Sequence, residues 1–144
     1  MHIFSAKGKI TPQQDKTNVA LCFTVPHGVT KLIVNYNYTP KYIDNEHTAA
    51  LAITNGLKKY NVEVINASAF LPVPNLVTLS FDENGEYRGA CHRQPHRQTV
   101  VIAEVDSTPG IHNRPVSPGQ WDVVLNVHYA GCDMDYSIDI EGVE

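Results

Sequence analysis

Gln120–Tyr129 reads QWDVVLNVHY, and Met134–Ile140, just beyond a Gly-Cys turn, reads MDYSIDI. Successive side chains of a strand point to opposite faces. Trp121, Val123, Leu125, Val127 and Tyr129 therefore line one side of the first run, and Asp122, Val124, Asn126, His128 and Ala130 line the other. In the second run Met134, Tyr136, Ile138 and Ile140 face inward, while Asp133, Asp135, Ser137, Asp139 and Glu141 face out. Strict alternation is the pattern of a sheet with one buried face, which is characteristic of antiparallel architectures. The polar side has two readings, a solvated sheet surface or a polar binding surface containing Asn126 and His128.

The same period recurs upstream. NVALCFTVPHG places Val19, Leu21, Phe23 and Val25 on one face, and TKLIVNYNYTP does the same for Leu32, Val34, Tyr36 and Tyr38. The short turn between them predicts a hairpin. Further strands are expected at Asn61–Ile65, Leu76–Phe81 and Gln98–Val105. FDENGEY contains Asp82, Asn84 and Gly85 but lacks the remaining ligand positions of a calcium loop, so it reads as a hairpin turn. One stretch has the other period: in Asp44–Tyr60, Ala50, Ile53, Leu57 and Tyr60 recur at three and four, which predicts a helix capped by Asp44 or Asn45. Gly56 costs that helix about 1 kcal/mol. The expected fold is a single antiparallel β-sandwich domain over residues 1–144, jelly-roll or immunoglobulin-like, with one helix near residues 44–60.

At 144 residues the chain can bury a core without disulfide or metal staples. A net charge of -4 gives no general attraction to nucleic acid or membranes. The opening MHIFSAKGKITPQQDK lacks the apolar core of a signal peptide, and no run approaches the roughly 20 apolar residues of a bilayer span, so a cytoplasmic location is expected. Cys22, Cys91 and Cys132 have no C-x-x-C spacing and read as reduced thiols, with a Cys22–Cys132 bridge as the alternative. The charges are polarised: every lysine precedes Arg88, the arginines 88, 93, 97 and 114 are clustered, and no basic residue except His128 follows Arg114.

EYRGACHRQPHRQ concentrates Arg88, Arg93 and Arg97 beside His92 and His96. Guanidinium groups suit carboxylates and phosphates, and imidazoles add donors or bind metals. Pro95 makes a helix unfavourable, so the four-residue spacing of the histidines does not ensure a shared face. This segment reads as a solvated or internally paired loop, as an anion or acidic-partner site, or as a metal site. Nucleophile-elbow, H-E-x-x-H and P-loop patterns are missing, and Cys91 and His92 would diverge if they lay in a strand. Trp121, among Val123, Leu125 and Val127, reads as core.

The segments LCFTVPHGVTKLIVNYNYTP, PNLVTLSFDENGEYRGACHR, STPGIHNRPVSPGQWDVV and YSIDI occur in an order that resembles the β-sandwich domain preceding the catalytic domain in some PHP-type metal-dependent phosphoesterases, the polymerase and histidinol phosphatase superfamily. The resemblance runs from about Val19 to Ile140 and covers His92 and Arg93 in RGACHR and Gly119–Trp121 best. Multi-metal hydrolysis needs several His and carboxylate ligands, typically with an H-x-H pair, which this sequence lacks. The resemblance thus implies an accessory domain without its enzyme and carries over no metal ligand.

The function expected is a non-catalytic binding or interaction module. It would bind an anionic ligand or a protein partner, such as a separately encoded hydrolase, through Arg88, His92, Arg93, His96, Arg97, Arg114, Asn126 and His128. It would need no cofactor and no nucleic acid or membrane partner. One alternative is a small metal-dependent hydrolase using His92, His96, His112 and His128; another is a homodimer whose arginine loop meets the acidic terminal strands of its partner.

Overall fold

The computed structural model describes residues 1–43 and 73–144. The helix expected at 44–60 and the strand expected at Asn61–Ile65 lie outside the described residues. Eight strands form two four-stranded antiparallel sheets. Sheet I runs in the order β1 (His2–Ile10), β10 (Met134–Val143), β3 (Lys31–Thr39), β8 (Arg97–Ala103). Sheet II runs β2 (Asn18–Val25), β9 (Gly119–Tyr129), β6 (Leu76–Glu83), β7 (Glu86–Cys91). Two short strands, β4 (Tyr42–Ile43) and β5 (Val73–Pro74), pair separately.

The pairings nest. β6 pairs with β7 at the middle of the chain, β3 with β8, β2 with β9 and β1 with β10 at its ends. The chain is thus a long hairpin rolled so that successive rungs alternate between two sheets, which is the jelly-roll and not the immunoglobulin arrangement. Its tip is the expected turn, with Asn84 at φ 49° and Gly85 at φ 84°, the positive pair that a tight two-residue hairpin demands.

β2 and β3 do not form the expected hairpin: they lie in different sheets. Both strands carry one apolar face, and facing each other across the sandwich buries it as well as lying side by side would. Phe23 and Val25 of β2 and Leu32 and Val34 of β3 join one core with Val77, Leu79, Phe81, Val100, Ile102, Val123, Leu125, Ile138 and Ile140. Each such side chain contributes about 1.5–3 kcal/mol on burial. Two phenols cross this core: Tyr36 of sheet I donates to the Val77 carbonyl of sheet II at 2.6 Å, and Tyr38 reaches the Asn75 carbonyl at 3.4 Å. Burial, with the neighbouring Tyr38, pushes the Tyr36 phenol far above its ordinary pKa. Trp121 is core as expected, with its indole N–H satisfied by the Ser117 carbonyl at 2.9 Å.

The first strand had no clear signature because its inward face carries Phe4, Ala6, Gly8 and Ile10, two of them small. Tyr136 occupies the space; a Cβ on Gly8 would lie 2.7 Å from its hydroxyl oxygen. Phe4 stacks on Phe23 across the sandwich, ring centres 5.5 Å apart. All three cysteines are free thiols, so the Cys22–Cys132 bridge does not form. Among the described residues, no helix is long and apolar enough to cross a membrane.

A candidate ligand-binding cleft on sheet II

Two irregularities in register decide which polar groups meet. Along β9 and β6, Val77 pairs with Val127 but Leu76 pairs with Tyr129, leaving His128 as an extra residue in a bulge. A bulge exchanges the faces beyond it. Ala130, expected to face out, is buried, and Tyr129, expected in the core, turns half-exposed to the outer side, where the Lys16 ammonium lies 5.7 Å from its ring centre. Register also sets Asn18 of β2, Asn126 of β9 and Thr78 of β6 side by side on the outer face of sheet II.

His128 and His92, the residue after β7, close over Thr78. The Thr78 hydroxyl oxygen is 2.8 Å from His92 Nδ1 and 2.8 Å from His128 Nε2, and the rings stand edge to face with centres 5.4 Å apart. A threonine hydroxyl has one proton to give and lone pairs to accept with. With both rings neutral, Thr78 donates to one and accepts the N–H of the other, so the two tautomers are coupled. Burial first, and the neighbouring His92 second, hold His128 below the ordinary imidazole pKa. Asn126 donates to the Thr78 carbonyl at 3.4 Å, and Ser80 donates to the Asn126 side-chain oxygen at 3.4 Å.

His92, Asn126 and His128 border a cleft of about 390 Å³ together with Lys16, Thr17 and Asn18. Among the described residues, the walls present imidazole, amide, hydroxyl and ammonium groups and no carboxylate. Lys16 has φ 60°, a left-handed backbone that a non-glycine residue adopts only at a cost. Its ammonium is 3.2 Å from a carboxylate oxygen of Asp15, whose other oxygen accepts from the Ala130 N–H at 2.8 Å.

The structure thus assembles His92, Asn126 and His128 from the expected set and disperses the rest. Arg88 is completely buried, which corrects its place among surface ligands. The register between Phe81–Gly89 and Asp82–Tyr87 skips Arg88, so this second bulge turns it into the core. There it donates to Glu83 at 2.8 Å and to the carbonyls of His112, Pro115, Ala103 and Arg114, over the Trp121 ring. Arg114 reaches the same Glu83 oxygen at 3.0 Å. Burial would raise the Glu83 carboxyl, but the Ser117 N–H, Arg88 and Arg114 outweigh it and hold the group below the ordinary carboxylate value.

Arg97 lies on the outer face of sheet I, in a groove with Asn35, Asn37 and Thr99, on the opposite side of the molecule from His92. Arg93 is exposed in the β7–β8 connection, and His96 packs edge-on against Tyr38. His112 packs against Tyr87, so the four histidines of the hydrolase alternative do not converge on one point. Cys91 is buried with its thiol toward the Pro109 carbonyl, and burial raises its pKa against a smaller opposing effect of Arg93, whereas His92 faces outward. Among the described residues, the atoms close enough to share a cation belong to His2, Asp139 and Glu141, within 4.8 Å of one another at the other sheet's surface. That group escaped the sequence because His2 and Asp139 lie 137 positions apart and only β1·β10 pairing unites them. Lys16 and Thr78 also escaped notice; the non-glycine turn at Lys16 and the burial of Thr78 are visible only in three dimensions.

No family model and no curated protein matches the chain. A crystal structure of a protein from Sulfurospirillum deleyianum is similar to it with a TM-score of 0.37 and 6% sequence identity, over 96% of this chain and 98% of that one.

Proposed function

We infer that the protein is a non-catalytic binding module and that its ligand, an anion, occupies the sheet II cleft. The observation that carries this reading is the convergence of His92 and His128 on one buried hydroxyl beside Asn18, Asn126 and Lys16, around a concavity whose walls, among the described residues, hold no carboxylate. Donor-rich walls match an oxyanion, whose oxygens accept from several N–H and O–H groups at once. The anion-binding set is therefore narrower than the sequence suggested: Arg88 and Arg114 serve the fold around Glu83, and Arg97 belongs to the other face.

The test is ligand-dependent thermal stabilisation with a panel of anions, on the parent and three variants. An anion that binds only the folded state at about a hundred times its Kd adds roughly 2.7 kcal/mol. His92→Gln and His128→Gln should each lose most of that shift, while unliganded stability falls by about 0.5–1.5 kcal/mol, the net worth of the hydrogen bond each makes to Thr78. Arg97→Ala should keep the shift. Loss of binding in Arg97→Ala with retention in both glutamine variants would move the site to sheet I.

A further inference from the structure

We propose that the cleft takes up an oxyanion together with a proton, the proton being held by the His92–Thr78–His128 triplet. The proposal rests on the binding reading above and specifies the charge state in which the site works.

The charges around the triplet can be counted element by element. From the turn before β2 come Lys16 and Asp15, joined at 3.2 Å, so the ammonium is already matched. From β9 come His128 and the phenol of Tyr129; from β6 only Thr78 and Ser80 face this end, with Asp82 paired to Asp122 further along the sheet. From β2 comes neutral Asn18, and beyond β7 come His92 and the exposed Arg93, which is absent from the cleft walls. With both imidazoles neutral, the described walls and Asp15 together have no net charge. An anion entering then exchanges water for neutral donors and gains little.

Adding one proton changes this. The Thr78 oxygen can accept an N–H from each ring, so the protonated pair keeps both 2.8 Å contacts by rotating the hydroxyl proton away from the rings. With both Thr78-facing nitrogens protonated, one of the two outward ring nitrogens also carries an N–H, and the pair carries one positive charge. In the unliganded protein, burial and the neighbouring ring oppose that proton, which explains the depressed His128 pKa. An anion beside the pair offsets both effects and raises the pKa again. By linkage, a group whose pKa rises on binding makes affinity grow as pH falls through the imidazole range and level off once the free protein is protonated.

The experiment titrates sulfate, and separately acetate, into the protein at about pH 5.5 and about pH 8, spanning the imidazole range, and follows the His92 and His128 ring resonances by NMR. Neither probe titrates in this interval, so a pH effect belongs to the protein. Binding should tighten by about tenfold per pH unit within the coupled range, with proton uptake measured calorimetrically in buffers of different ionisation enthalpy. Preference for sulfate would indicate a phosphate-like ligand and preference for acetate a carboxylate. His128→Gln and His92→Gln should flatten the pH dependence, and His112→Gln, remote from the cleft, should leave it intact. Equal affinity at both pH values overturns proton coupling while the cleft reading stands. A pH effect that survives both glutamine substitutions assigns it to the protein's overall charge and also overturns the coupling. If neither sulfate nor acetate moves the His92 and His128 resonances at any pH, both readings are overturned.

Discussion

Arg88 has five N–H donors, and the fold spends them on Glu83 and four carbonyls while its charge lies over Trp121. Removing one partner of a buried pair costs about 3–5 kcal/mol because the other charge stays in a medium that cannot solvate it. Glu83 retains Arg114 and the Ser117 N–H, so Arg88→Met should lose about 3 kcal/mol, toward the low end of that range, in urea denaturation at neutral pH. A loss under about 1 kcal/mol would show that the network is no stronger than a surface pair. Glu83 has a depressed folded pKa, so its contribution is present above the ordinary carboxylate value and is lost as pH falls through the depressed one. The gap between parent and variant should therefore shrink in acid. Lys16 is the opposite case, a residue held in an unfavourable conformation. Glycine at φ 60° would relieve about 1–2 kcal/mol of backbone strain, against about 0.4–1 kcal/mol of added unfolded-state entropy. Lys16→Gly should thus be equally or slightly more stable thermally and bind anions more weakly, because the ammonium is gone from the cleft wall. A less stable variant with unchanged binding would sink the idea that Lys16 is kept for the ligand.

At the scale of elements, two glycines of β6–β7 and its turn separate backbone conformation from close contact. Gly85 has φ 84° and no atom within 4 Å of a would-be Cβ, so Gly85→Ala should cost only the left-handed backbone term, about 1–2 kcal/mol. Gly89 has φ 141°, and a Cβ there would lie 2.4 Å from the Gly110 carbonyl oxygen and 2.6 Å from the Ile111 Cα. Gly89→Ala must therefore displace the loop that supplies the carbonyls around Arg88, adding about 1–3 kcal/mol of overpacking. Hydrogen exchange should reveal lost protection at Ala90 N–H, which bonds to Gly110, and at His112 N–H, which bonds to Arg88. Equal losses of stability in the two variants would mean that the loop yields freely. The elements also locate the limits of sequence reading. Alternation assigned faces correctly along Trp121–His128 and Met134–Ile140, because each residue there obeys the two-residue period. It failed at Tyr129–Ala130 because a bulge adds one residue to a strand and inverts the faces after it; at Arg88, in a segment that reads as a loop, a strand with a second bulge turns the side chain inward. No residue type marks either bulge.

For the whole molecule, nested pairing makes sequence separation grow from the hairpin tip outward, from Glu83↔Glu86 to His2↔Glu141. Loop-closure entropy must be overcome before distant strands pair, so folding should fall in the millisecond-to-second range of β-sandwiches. Contacts near the tip should form early and the β1·β10 closure late. In stopped-flow chevrons Gly85→Ala should then mainly slow folding, and Ile10→Val, costing about 0.5–1.5 kcal/mol, should mainly speed unfolding. The reverse assignment would place the nucleus at the chain ends. The sequence by itself determined that this is a mainly β chain with one buried face per strand, a turn at Asn84–Gly85 and Trp121 in the core, since those follow from local period, turn chemistry and hydrophobicity. It also placed His92, Asn126 and His128 among eight candidate ligand residues, without separating them from Arg88, Arg93, His96, Arg97 and Arg114. Only the tertiary structure decided that β2 and β3 part into different sheets, that Arg88 is internal, and that the two histidines share the hydroxyl of Thr78. The reason is physical: an apolar face specifies burial but not the neighbour it is buried against, and strand register, which brings distant polar groups together, is a collective property of the rolled sheets.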